Sequence, residues 1–292
     1  MEKMTLTKII PYHSTRNFIS AQITMEGKLI LIETDQQELD YFERPVKKAN
    51  WTIRIIDEEN TDTIEIKNIA FIPTEVDMFS DGTILLVQSR CEKKGTVIER
   101  NARIYNPNGQ LISAFTLGDG IEQMQIDETD TIWVGYFDEG IFGNFGWEEP
   151  IGSDGVIAFD KSGEKLWGAR KFSIIDSYAL NVTSSTHVQF YYYDDFKIVT
   201  LNEKKKVKSS YRIEGETSIQ QFAFDENGLI GLALGNELIR YRKKGRTYAQ
   251  KDKIQLVDNF GKRIIGPVFL RGKYIYANGK DGIYKKIISP LA

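Results

Sequence analysis

The chain has 292 residues, 41% hydrophobic and 27% charged, with a formal net charge of -3. That composition supports a sizeable core, argues against a nucleic-acid partner, whose binders carry a basic footprint, and offers no run of the ~20 apolar residues a membrane helix needs. The opening MEKMTLTKII lacks the apolar stretch and cleavage site of a secretory signal, and a single cysteine, Cys91, allows no intramolecular disulfide, so a cytoplasmic location such as a bacterial one is expected.

Read in chain order, helical periodicity is almost absent and short apolar, β-rich runs recur: Leu29–Ile32, Thr83–Val87, Thr131–Val134, Leu229–Leu234 and Tyr274–Ala277. Their length and β-branched content predict strands buried on both faces. Each follows a turn pair, Glu26-Gly27, Asp81-Gly82, Thr129-Asp130, Asn227-Gly228 and Arg271-Gly272, with Ser184-Ser185 filling the gap. A second series of turns lies between them at Glu59-Asn60, Asn108-Gly109, Ser162-Gly163, Lys204-Lys205 and Lys244-Gly245. Two interleaved hairpin series with a unit of about 40–50 residues are the signature of a four-stranded propeller blade.

The predicted fold is therefore all-β, a single domain over 1–292 with six blades at about 17–70, 73–118, 121–172, 176–216, 217–258 and 264–288. Five or seven blades remain open because the fourth unit has weak turns. The last unit lacks a fourth strand and Met4–Ile10 is spare, so that segment is expected to close the ring and remove an exposed edge.

The segment Val76–Gly120 (VDMFSDGTILLVQSR…NARIYNPNGQLISAFTLGDG) resembles the NHL-type propeller repeat, and Asp127–Gly140 (DETDTIWVGYFDEG) is similar to the short repeats of sensor-type propellers. These resemblances imply a fold and a habit of binding rather than a reaction. The six-bladed SMP-30-like lactonases hold a divalent metal with Glu, Asn and Asp; their motifs have no match here, since Asn106-Pro107-Asn108-Gly109 falls in a C–D turn.

The B–C loops are long in the first three blades, Glu33–Asn50, Gln88–Asn101 and Tyr136–Gly155, and short in the others. Long loops are commonly functional. The third is rich in glycine and acid, carries no base, and was not expected to hold regular structure. Its candidate ligand-binding residues are Asp138, Glu139, Phe142, Phe145, Trp147 and Glu148. Aromatic faces with convergent carboxylates suit a sugar, a small cationic molecule or a basic peptide or protein. The plainer reading is a lid whose aromatics point inward. No catalytic residue and no resident metal are expected, although carboxylates in a loop can take Ca²⁺; there is no HExxH, CxxC, GxSxG or Walker A loop, and only His13 and His187. The expected function is a non-catalytic binding propeller with an acidic, aromatic rim, the alternative a metal-dependent hydrolase of the lactonase kind.

Overall fold

A computed structural model describes residues 1–58 and 60–289; the predicted turn at Glu59-Asn60 falls partly outside them. The chain forms two compact units, one of Met1–Ser14, Asp57–Asn60 and Tyr178–Ala292, the other of Thr15–Ile56 and Thr61–Ser177.

Two short strands come first, β1 (Glu2–Thr5) and β2 (Thr7–Ile10). The unit beginning at Thr15 then holds three four-stranded antiparallel meanders. The first is β3 (Asn17–Ile23), β4 (Leu29–Thr34), β5 (Lys48–Asp57) and β6 (Asn60–Ala70). The second is β7 (Glu75–Met78) and β8 (Ile84–Val87), then, after an inserted hairpin of β9 (Lys93–Lys94) and β10 (Val97–Ile98), β11 (Ala102–Tyr105) and β12 (Leu111–Phe115). The third is β13 (Ile121–Ile126), β14 (Ile132–Tyr136), β15 (Val156–Phe159) and β16 (Lys165–Gly168).

The other unit repeats the pattern with a twist. Strands β17 (Asp176–Ser184), β18 (His187–Tyr193), β19 (Lys197–Leu201) and β20 (Val207–Glu214) form one meander, and β21 (Ile219–Asp225), β22 (Gly228–Ala233), β23 (Glu237–Lys244) and β24 (Thr247–Val257) the next. These were expected to be separate. Instead β20 and β24 pair in parallel, Arg212 opposite Thr247 through Glu214 opposite Ala249, so the two fuse into a nine-stranded sheet that also takes β1 against β24. The last sheet is β25 (Val268–Arg271), β26 (Tyr274–Gly279) and β27 (Gly282–Ile287), completed by β2.

The second strand of each meander explains the layering. β4, β8, β14 and β22 are buried along their whole length, so each sheet must be covered on both faces. In one core Ile30, Ile32, Trp51, Ile53, Val76, Ile84 and Leu86 pack together; in another Tyr191, Ile198, Phe222, Leu229 and Tyr241 do. Turn chemistry sets the register. Asn106 Oδ1 accepts the N–H groups of Asn108 and Gln110 at 3.0 Å each, and Asp160 Oδ1 those of Ser162 and Glu164 at 2.8 and 2.9 Å. The turn read as weak uses the same clamp: Asn202 Oδ1 accepts from Lys204 and Lys206 at 3.0 and 3.1 Å, and Lys205 adopts the left-handed φ of 55° that Gly109 adopts at 75°.

The expectation of one strand over Met4–Ile10 is corrected. The segment splits at buried Leu6: β1 runs parallel to β24, and only Thr7–Ile10 pairs with β27, Thr7 opposite Lys285. Arg240, almost fully buried, fixes the split by donating to Asp225 at 2.6 Å and to Glu2 at 2.7 and 3.1 Å. Met4 and Leu6 enter the core of Ile230, Leu256 and Ile275.

Deleting residues 1–10 uncovers β27, leaves Arg240 short of one carboxylate and removes two core side chains, so the truncated protein should self-associate in analytical ultracentrifugation; a monomer with unchanged melting temperature would refute the role of β2. Trp133 is fully buried, its indole N–H bonded to Asp127 at 2.9 Å, while Trp167, 5.8 Å from it, is partly exposed. Chemical denaturation should therefore show Trp133→Ala costing roughly 3–5 kcal/mol and Trp167→Ala distinctly less.

Candidate functional site

Three loops of the Thr15–Ser177 unit, residues 35–47, 88–101 and 137–155, knit together around two arginines. The Arg90 guanidinium is buried. It donates to Asp119 at 2.8 Å and pairs with Glu139, and its carbon lies 4.8 Å from the Phe42 ring and 5.4 Å from the rings of Phe137 and Phe145. Arg44 pairs with Glu99 at 2.6 Å and lies 5.0 Å from the Phe145 ring, which meets Phe42 edge to face at 6.1 Å. A cation enclosed by carboxylates and aromatic faces keeps its charge satisfied out of water. Removing one partner of such a buried pair typically costs about 3–5 kcal/mol.

The third loop is not irregular throughout, as its composition suggested. Asp138–Phe142 makes a turn of α-helix, α1, and Ile151–Asp154 a 3₁₀ turn. Glycine lets this backbone touch others: a Cβ on Gly146 would sit 1.8 Å from the Lys93 carbonyl, and one on Gly140 2.4 Å from that of Asp119.

The candidate residues therefore part company. Trp147 is buried rather than displayed; its indole N–H donates to the Cys91 carbonyl at 2.7 Å, with Lys93 Nζ 5.2 Å from the ring. Phe145 closes over Arg44 and Arg90. Glu139 is held by Arg90, whose hydrogen bond lowers its pKa. These three brace the loops. Phe142 is 66% exposed and Glu148 is exposed, both without a described role in the brace. Asp138, exposed at the start of α1, alone turns to a second feature.

That feature is a row of carboxylates at the beginnings of three successive first strands: Glu75 opens β7, Glu122 is second in β13 and Asp176 opens β17. β7 and β13 are stitched together, Asp77 accepting the Ile126 N–H at 2.7 Å and Glu75 that of Met124 at 3.4 Å. Burial, then the neighbouring Glu122, raises the Glu75 pKa well above the usual carboxylate range. Burial, then Asp176, raises Glu122 to about 7, and burial, then Asp138, raises Asp176 to about 6. All the charges acting on these three groups are acidic. Raised carboxylates without a balancing base mark a place where a proton or a cation is held. Sequence reasoning concentrated on the loops and missed Glu75, Glu122 and Asp176; the available signal was an acid in the first two positions of each first strand, in EVDM, IEQM and DSYA.

Among the described residues no three His, Cys, Asp or Glu side chains are arranged to hold a metal ion. His13 is exposed, and His187 heads β18 with its pKa lowered by burial and by Lys208. No helix of the described residues is long and apolar enough to cross a membrane.

The architecture has counterparts among known structures. Virginiamycin B lyase from Staphylococcus aureus superposes with a TM-score of 0.53 at 9% identity, covering 97% of this chain and 99% of that one. The fold is that of a β-propeller. The WD40 β-propeller domain of Doa1 matches with a TM-score of 0.47 at 10% identity, over 96% of each chain. A family model, that of the YxzG family, matches residues 151–286. No curated protein matches the sequence.

The row has a consequence for stability. A carboxylate whose folded pKa exceeds its unfolded value adds stability that is complete below the unfolded pKa and lost as pH rises through the folded one. For Glu122 and Asp176 that loss runs from about pH 4 to about pH 7. His187, lowered by burial, acts in the opposite sense near its ordinary value, so parent and variant must be compared directly. Glu122→Gln should raise the melting temperature at pH 8 by roughly 2 °C or more and leave it nearly unchanged at pH 5; equal effects at both pH values would show that Glu122 carries no strained charge.

Proposed function

We propose that the chain is a single-domain, six-bladed propeller that binds without catalysis, and that its ligand, a small molecule or a basic peptide or protein, presents a cationic group to the carboxylate row. The six-blade count is supported by six meanders in chain order, the two fused ones included, and by β2 completing the last sheet. The observation that carries the binding reading is the set of Glu75, Glu122 and Asp176, raised by burial and by one another and joined by Asp138 from the braced loop. A bound cation relieves both the desolvation and the repulsion. The brace around Arg90 holds α1, and with it Asp138, in place. Of the sequence-derived candidates, Asp138 then contacts the ligand, Phe142 and Glu148 form its outer rim, and Glu139, Phe145 and Trp147 support them.

One observation favours a second, enzymatic reading. A carboxyl that titrates at about 7 is suited to general acid or base work, and the similar Staphylococcus aureus structure is named a lyase. That likeness extends to the fold. The metal-dependent alternative has no ligand cluster among the described residues.

The test is a thermal-shift series at pH 8 with spermidine, a lysine-rich peptide and Ca²⁺, on the parent and on Glu122→Gln. The parent should gain several degrees with at least one organic cation, and the variant, already relieved of charge, should gain little. No shift with any organic cation, or equal shifts in both proteins, would overturn the cation-binding reading. A response to Ca²⁺ alone would favour the metal reading over it.

A further inference from the structure

The parallel pairing of β20 with β24 brings together two basic segments that lie more than thirty residues apart. Arg212 sits opposite Thr247, which in turn pairs with Lys244 of β23, and the Arg212 N–H donates to the Arg246 carbonyl at 3.1 Å. Residues directly opposite across paired strands share a face, so Arg212 and Lys244 stand on one face of the fused sheet. Arg242, two residues along β23, joins them on that face, while Lys208 stands at a β-bulge of β20 opposite Thr200 and Leu201, and Arg246 projects from the adjoining turn. All five are exposed.

Few acids stand near them. Lys197, across from Arg212, holds Asp195 at 2.8 Å, and Arg212 acts more weakly on the same carboxylate. Glu214 is the one acid in register with the group, opposite Ala249 and so level with Arg242. No salt bridge engages Lys208, Arg212, Arg242, Lys244 or Arg246 among the described residues, although lysines and arginines elsewhere in the chain make many. A chain of net charge -3 has thus gathered more bases than acids in one place.

We infer that this face, Lys208, Arg212, Arg242, Lys244 and Arg246, is a docking surface for an acidic segment of a partner protein, laid across β20, β24 and β23. Charge complementarity gives the sign of the partner, and three guanidinium groups, on β20, on β23 and in the turn before β24, suit carboxylates, which they can engage in pairs of hydrogen bonds. The geometry favours a peptide over nucleic acid. Single-stranded nucleic acid is bound with aromatic platforms between the bases of the patch, whereas Tyr211 and Tyr248 alternate to the opposite face and meet each other edge to face at 5.4 Å, with Lys243 donating to the Tyr211 hydroxyl at 2.9 Å. The surface is independent of the carboxylate row, and either reading can fail without the other.

The test measures fluorescence anisotropy of a labelled polyglutamate peptide and of a single-stranded oligonucleotide of equal charge, at 50 and 200 mM salt. The proteins are the parent, the triple variant Arg212→Gln/Arg242→Gln/Arg246→Gln, and a control, Lys47→Gln/Lys48→Gln, that removes exposed charge elsewhere. The parent should bind the peptide more tightly than the oligonucleotide, tenfold or more tighter than the triple variant does, with affinity falling at the higher salt, and the control should match the parent. Arg246→Gln, confined to a turn, should by itself weaken binding about threefold and serves if the triple variant does not fold. No peptide binding at 50 mM salt, an equal loss in the control, or tighter binding of the oligonucleotide would each overturn the proposal.

Discussion

A strand that is apolar on both faces cannot lie on a surface. β4, β8, β14 and β22 are all of this kind, and the layout of each unit follows from the need to cover them. Polar side chains then fix how the covered layers meet. Asp77 and Glu75 receive main-chain N–H groups from β13, and Gln221 that of Leu270 on β25 at 2.7 Å. Buried carboxylates near these joints serve the packing in one position and create a charge problem in the next. Asp77, with two N–H donors at 2.7 and 2.8 Å, is a structural group; Glu75, one turn of the pleat away with a single long hydrogen bond, is the one whose pKa burial pushes up.

Much of this architecture could be read from residue order alone. The apolar runs and their turn pairs located the meanders, because tight turns need particular side chains at particular places. The weak fourth turn shows the limit of that reading: Asn202 does the clamping, and Lys205 tolerates the backbone conformation expected of glycine. The parallel seam between β20 and β24 left no trace, since parallel partners far apart in sequence share no turn. The division of the N-terminal segment was equally hidden, for it depends on Arg240 reaching Glu2 across the fold.

The loop residues stand out in the sequence, but what surrounds them does not. An aromatic, acidic, glycine-rich stretch reads alike whether it greets a ligand or another loop, because both uses need flat apolar faces and close backbone approach. The arginines that decide the matter, Arg44 and Arg90, sit in other loops. With them in place Trp147 faces inward, and the acid left free is Asp138, beside Asp176. The charged row itself was overlooked because single acids near strand starts look like ordinary punctuation until their electrostatic coupling is seen.

The placement of the N-terminal strands bears on how the protein is made. Thr7 is synthesised long before its partner Lys285, and Glu2 long before Ile254. At the usual 5–20 residues per second the interval is roughly 15–60 s. Throughout it Met4 and Leu6 lack the core that later encloses them, and the meanders that have already emerged cannot recruit the missing strand. Folding of the last two sheets is thus tied to the emergence of β24 and β27, and a ribosome that stalls before them leaves β1 and β2 unpaired, with Met4 and Leu6 in water.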